Sequence, residues 1–152
     1  MLSKLIERIR AVAGPQDNLD DEPRTLELAA AALLWEVANA DRNISTAERQ
    51  QIRQTLKASF TLDDQTLNEI LEESEATVEH SVGVQPLTRT LTDHWSEPQR
   101  FDLVVALWRV ALADQVIDAF EEHRIRAIAD LLYVSHKRFI EAKLIAKRAS
   151  SG

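Results

Sequence analysis

Apolar positions along the chain recur at helical spacing. Ile52, Leu56 and Phe60 lie four residues apart. Leu67, Ile70, Leu71 and either Ser74 or Val78 mark a second face, Ile125, Ile128, Ala129 and Leu132 a third, and Phe139, Ile140 and Leu144 a fourth. Each stripe predicts an amphipathic helix with one side against a core. Residues 28–40 and 103–113 are apolar almost all round, broken mainly by Glu36 and Arg109, so they belong in the middle of a bundle. No window alternates with period two between turn residues, so no strand is predicted. Glycine and proline fall in few places. Gly14 and Pro15 open an acidic loop that Pro23 closes, Gly83 and Pro86 mark the middle, and Ser96-Glu97-Pro98 reads as a helix start. Asp63 is placed to cap the helix carrying Leu67 and Ile70.

The two helical blocks repeat one another. Shifted by 73, the octapeptide at 34–41 (Leu-Trp-Glu-Val-Ala-Asn-Ala-Asp) lies over 107–114 (Leu-Trp-Arg-Val-Ala-Leu-Ala-Asp). Ile44 falls over Ile117, Glu48 over Glu121, Ile52 over Ile125, Arg53 over Arg126 and Phe60 over Tyr133. A one-residue adjustment then puts Leu62 and Asp63 over Val134 and Ser135, and Leu67 over Phe139. An internal duplication is expected, about four helices per half, with the halves at about 1–82 and 84–149. Each half needs the other to cover its apolar central helix. The expected architecture is all-α: one domain over residues 1–152, seven or eight helices, pseudo-two-fold symmetry, with Trp35 and Trp108 as equivalent core residues. Leu2, Leu5, Ile6 and Ile9 put another apolar stripe on residues 2–12. That segment is expected to dock as the counterpart of residues 87–95, with membrane contact as the lesser alternative.

Composition narrows the function classes. Hydrophobic residues make up 45% of the 152 positions and charged residues 28%, an ordinary globular mix. Without cysteine there are no thiolate metal sites, disulfides or cysteine nucleophiles. With 25 acids against 18 bases the net charge is −7, which disfavours nucleic acid as a partner. The pair 52–60 and 63–71 could imitate a helix-turn-helix, but Asp63, Asp64, Glu69, Glu72 and Glu73 would repel phosphates. No apolar run is long enough to span a bilayer and no secretory leader is visible, so a cytoplasmic location is expected. The four histidines form no metal-ligand spacing, and neither a nucleophile elbow nor a phosphate-binding glycine loop is present. A non-catalytic protein is expected.

The informative motif is the repeated turn. Residues 40–48 read Ala-Asp-Arg-Asn-Ile-Ser-Thr-Ala-Glu, and residues 113–121 read Ala-Asp-Gln-Val-Ile-Asp-Ala-Phe-Glu. Ser45-x-x-Glu48 and Asp118-x-x-Glu121 are capping boxes, which need no ligand. Asp41 and Asp114 are different. A carboxylate after a helix C-terminus opposes the macrodipole and asks for backbone amides or a cation beside it. Asp41, Asn43 and Ser45 alternate as oxygen donors before Glu48, as at the opening of a calcium loop, but the turn glycine and the final bidentate glutamate are missing. If symmetry brings the turns together, Asp41, Glu48, Asp114, Asp118 and Glu121 form one acidic cluster. Structural caps and cation sites both fit this spacing.

The duplicated helix, acidic turn and helix, with Ala-Asp-x-x-Ile-x-x-x-Glu in each half, resembles the TerB-like family named for a tellurite-resistance protein. The resemblance runs from about residue 26 to about residue 143. It implies an all-helical fold and a role in tellurite or metal stress. It also implies metal binding by Asp41 and Glu48 in one turn and by Asp114 and Glu121 in the other. Arg42 and Gln115 replace the glycine the family often has after the aspartate. With Asn43 and Asp118 added, the candidate ligand set is Asp41, Asn43, Glu48, Asp114, Asp118 and Glu121, and oxygen donors suit calcium, magnesium or manganese. The alternative is a helical module that binds a protein partner and uses the acidic turns only as caps.

Overall fold

The computed structural model describes residues 23–40, 44–60, 63–79, 83–113 and 118–151. These form seven helices: α1 (Pro23–Ala38), α2 (Thr46–Phe60), α3 (Asp64–Glu79), α4 (Gln85–His94), α5 (Glu97–Ala111), α6 (Ala119–Leu131) and α7 (His136–Ser151). There is no strand among the described residues. No helix among them is long and apolar enough to cross a membrane. The amphipathic stripe at residues 2–12 lies outside the described residues.

The helix boundaries carry the duplication. Thr46 and Ala119, the first residues of α2 and α6, are 73 apart, as are Ala38 and Ala111, the last residues of α1 and α5. Asp64 and His136, which open α3 and α7, are 72 apart. Packing repeats as well. α1 lies on α3 as α5 lies on α7, and the crosswise contacts α1–α6 and α2–α5 are equivalents. α1 and α5 meet at the centre. Both are apolar on nearly every face, and a single buried cluster takes in Leu28, Leu33, Trp35, Leu107 and Trp108 with residues from the other helices. Burial of this kind supplies about 1.5–3 kcal/mol per large side chain.

The outer helices bury narrower stripes. α3 turns Leu67, Ile70 and Ser74 inward, and α7 turns the repeat-equivalent Phe139, Ala142 and Ala146 inward. The face expected on α7 from Ile140 and Leu144 is therefore a misassignment: both are exposed, as is Ile145. The two small alanines let α7 lie close against α5, which leaves the larger side chains outside.

The turns follow elementary capping chemistry. Thr66 N donates to Asp63 Oδ1 at 2.7 Å, so Asp63 caps α3 as its position predicts. At α5, Ser96 N and Ser96 Oγ both donate to Gln99 Oε1, at 2.9 and 3.2 Å. α6 ends in a left-handed residue: Tyr133 has φ +57°, and Val134 N closes back to the Ala129 carbonyl at 3.0 Å. Arg100 Nη1 donates to the Leu132 carbonyl at 2.6 Å, tying the start of α5 to this corner. Trp95 rests against Phe60, ring centroids 6.3 Å apart, between α4 and α5.

Candidate functional site

The acidic turns join α1 to α2 and α5 to α6. Both capping boxes form. In the first, Ser45 N donates to Glu48 Oε1 at 2.8 Å and Glu48 N donates to Ser45 Oγ at 3.0 Å. In the second, Asp118 N donates to Glu121 Oε1 at 3.4 Å, and Asp118 Oδ1 accepts from Phe120 N at 2.7 Å. Local sequence dictates this: an oxygen-bearing residue at the cap and a glutamate three positions on satisfy amides that a helix start leaves open. The second box is looser, because Asp118 turns its carboxylate to the amide of Phe120.

Both glutamates are buried, Glu48 to 1% exposure and Glu121 to 2%. A third box in the molecule differs in kind. At the start of α5 the reach-back residue is the neutral Gln99, and it is exposed. Two boxes thus bury a carboxylate where an amide suffices elsewhere.

Asp41, Asn43 and Asp114 lie outside the described residues, so their place beside Glu48, Asp118 and Glu121 is not part of this geometry. Among the described residues no three acidic or histidine side chains gather closely enough to hold a metal ion. His123 is exposed on α6.

Electrostatics connect the two turns through residues that sequence reasoning passed over. Glu36, in the last turn of α1, is half-buried, and desolvation raises its pKa above the ordinary value. The charge of Arg124 on α6 opposes that rise. The approach to the first turn is therefore within electrostatic reach of the helix that leaves the second. In sequence Glu36 reads only as an interruption of an apolar run.

A charge swap also stands over the two tryptophans. Arg49 of α2 lies over the Trp35 ring, 5.2 Å from its centroid, and meets Glu75 of α3 at 3.5 Å. In the second half the cation comes from the other helix: Lys143 of α7 lies 5.0 Å from the Trp108 centroid and meets Glu122 of α6 at 3.5 Å. The cation–aromatic contact is kept while its carrier changes.

The family model of tellurite resistance protein TerB matches residues 27–144. No curated protein and no solved structure matches the chain. The match begins inside α1, takes in both acidic turns and ends inside α7, so it covers well over half of the sequence and the whole of the duplicated motif. By that match the chain belongs to the TerB family.

Proposed function

We propose that this TerB-family chain is a non-catalytic cytoplasmic protein that binds a divalent cation at its acidic turns and serves in tellurite or metal stress. The observation that supports this is the burial of Glu48 and Glu121. A buried carboxylate carries a desolvation cost that a glutamine in the same box avoids, and a nearby cation offsets it. Asp41 and Asp114, with Asn43 and Asp118, would complete oxygen-rich ligand sets for calcium, magnesium or manganese. Bound there, the ion would hold each turn closed.

The test is an amide NMR titration of the metal-stripped protein with Ca²⁺, Mg²⁺ and Mn²⁺, repeated on Asp41→Asn/Asp114→Asn and on Glu48→Gln/Glu121→Gln. Saturable changes at residues 40–48 and 113–121, weakened in both double variants, are expected. Unchanged spectra up to millimolar ion would make the turns purely structural.

A second reading has its own support. Ile140, Leu144 and Ile145 are exposed on α7, whereas their repeat equivalents on α3 are Asn68, Glu72 and Glu73. The half that departs from a polar surface offers an apolar one, as a protein-interaction module would. Concentration-dependent sedimentation that disappears in Ile140→Lys/Leu144→Lys, with the unfolding midpoint held, would favour a second copy as the partner. Ideal monomeric sedimentation of the parent chain would count against self-association.

A further inference from the structure

We propose that residues 2–12 dock in the groove between α2 and α5. This inference is independent of the cation reading.

The groove has a volume of about 360 Å³. Leu56 and Phe60 of α2 form one wall, Leu103 and Ala106 of α5 the other, and Ala30 and Leu34 of α1 the floor. The repeat identifies what this place is. α4 packs on α1 and on α6. The equivalents of α1 and α6 are α5 and α2, the two helices that wall the groove. It is thus the counterpart of the α4 seat.

The segment has the matching pattern. Leu2, Leu5 and Ile9 fall at a constant offset of 82 from Val84, Leu87 and Leu91. Leu87 and Leu91 are the buried leucines of α4, and Val84 packs against the core at its start. One apolar stripe at i, i+3 and i+7 is therefore present twice, each time upstream of a central helix, with ten residues between the segment and α1 and two between α4 and α5. Connection is feasible. Residues 13–22 span up to roughly 30 Å when extended, and Pro23 stands only about 10 Å along α1 from Ala30 on the groove floor. Charge agrees with the placement. Lys4, Arg8 and Arg10 outnumber Glu7 in the segment, the chain as a whole is at −7, and the exposed Asp102 stands on the α5 wall.

The cysteine-free chain makes a clean test. A nitroxide is attached to Glu7→Cys, opposite the apolar stripe, in the full-length ¹⁵N-labelled protein. Docking predicts strong loss of amide intensity at Thr55, Leu56, Gln99, Asp102 and Leu103, with α4 and the second half of α6 little affected. Adding Leu5→Asp/Ile9→Asp should restore the groove intensities. Unchanged groove amides in the spin-labelled parent would overturn the proposal, including the case where broadening of the segment needs anionic vesicles. So would broadening that arises only when spin-labelled unenriched chain is mixed with unlabelled ¹⁵N chain, since the occupant would then be a second copy.

Discussion

Glu36 and Asp63 are acids that the fold pushes in opposite directions. Glu36 loses water in the last turn of α1, and its pKa rises above 4.5 despite the charge of Arg124. Below the unfolded-state pKa both states are protonated and nothing is lost. As pH rises past that point the unfolded chain ionises first, so the contribution of Glu36 to stability falls. Glu36→Gln should therefore raise the urea midpoint more at pH ~7 than at pH ~4, and Arg124→Gln should steepen the decline in the parent. Asp63 is exposed, and the amide and hydroxyl of Thr66 hold its pKa below 3.8. Its contribution is complete above the unfolded-state pKa and disappears as pH falls through the lower folded value. In Asp63→Asn the cap acceptor remains but this acid limb should vanish, which urea midpoints between pH ~2 and ~5 would read. The cap at Asp63 was legible because a cap is a local device. The shift at Glu36 was not, because the burial that raises it comes from tertiary packing and the charge that opposes it lies 88 positions away on α6.

Within elements, the corner between α6 and α7 shows where the repeat stops dictating side chains. Phe60 packs against the core and Trp95, whereas its equivalent Tyr133 is 76% exposed with φ +57°. A left-handed conformation disfavours any residue with a Cβ, and glycine is the usual occupant of this position after a helix. Tyr133→Gly should stabilise the protein by about 0.5–1 kcal/mol, the cost of a left-handed Cβ less the entropy that glycine adds to the unfolded chain, seen as a higher denaturant midpoint at unchanged slope. Tyr133→Ala keeps the Cβ and should give little of that gain. α7 carries the other lesson. Its hydrophobic residues alone suggest a face through Ile140 and Leu144, yet the buried positions are Phe139, Ala142 and Ala146. Alanine is a weak apolar marker in a sequence but a good residue for close helix packing. The 72-residue offset from Leu67, Ile70 and Ser74 finds the correct face where the local stripe does not.

For the whole molecule, the duplication made most of the architecture legible: seven described helices, two central ones, and crosswise packing that repeats between halves. The candidate site was legible only as far as its capping boxes, because Glu48 and Glu121 are fixed by residues three positions away, whereas the place of Asp41 and Asp114 depends on turn geometry outside the described residues. The crosswise packing has a thermodynamic consequence. α1 is covered by α6 as well as by α2 and α3, and α5 by α2 as well as by α6 and α7. Neither half can then open without exposing the apolar centre of the other, so unfolding should be all-or-none. Trp108→Ala, at a fully buried site, should cost about 3–5 kcal/mol. The informative readout is native-state hydrogen exchange. The slowest amides of α1 should lose the same free energy as those of α5, although Trp108 belongs to the second half. If α1 keeps its full protection while α5 loses its own, the halves are separate cooperative units, and the mutual cover seen in the packing contributes little to stability.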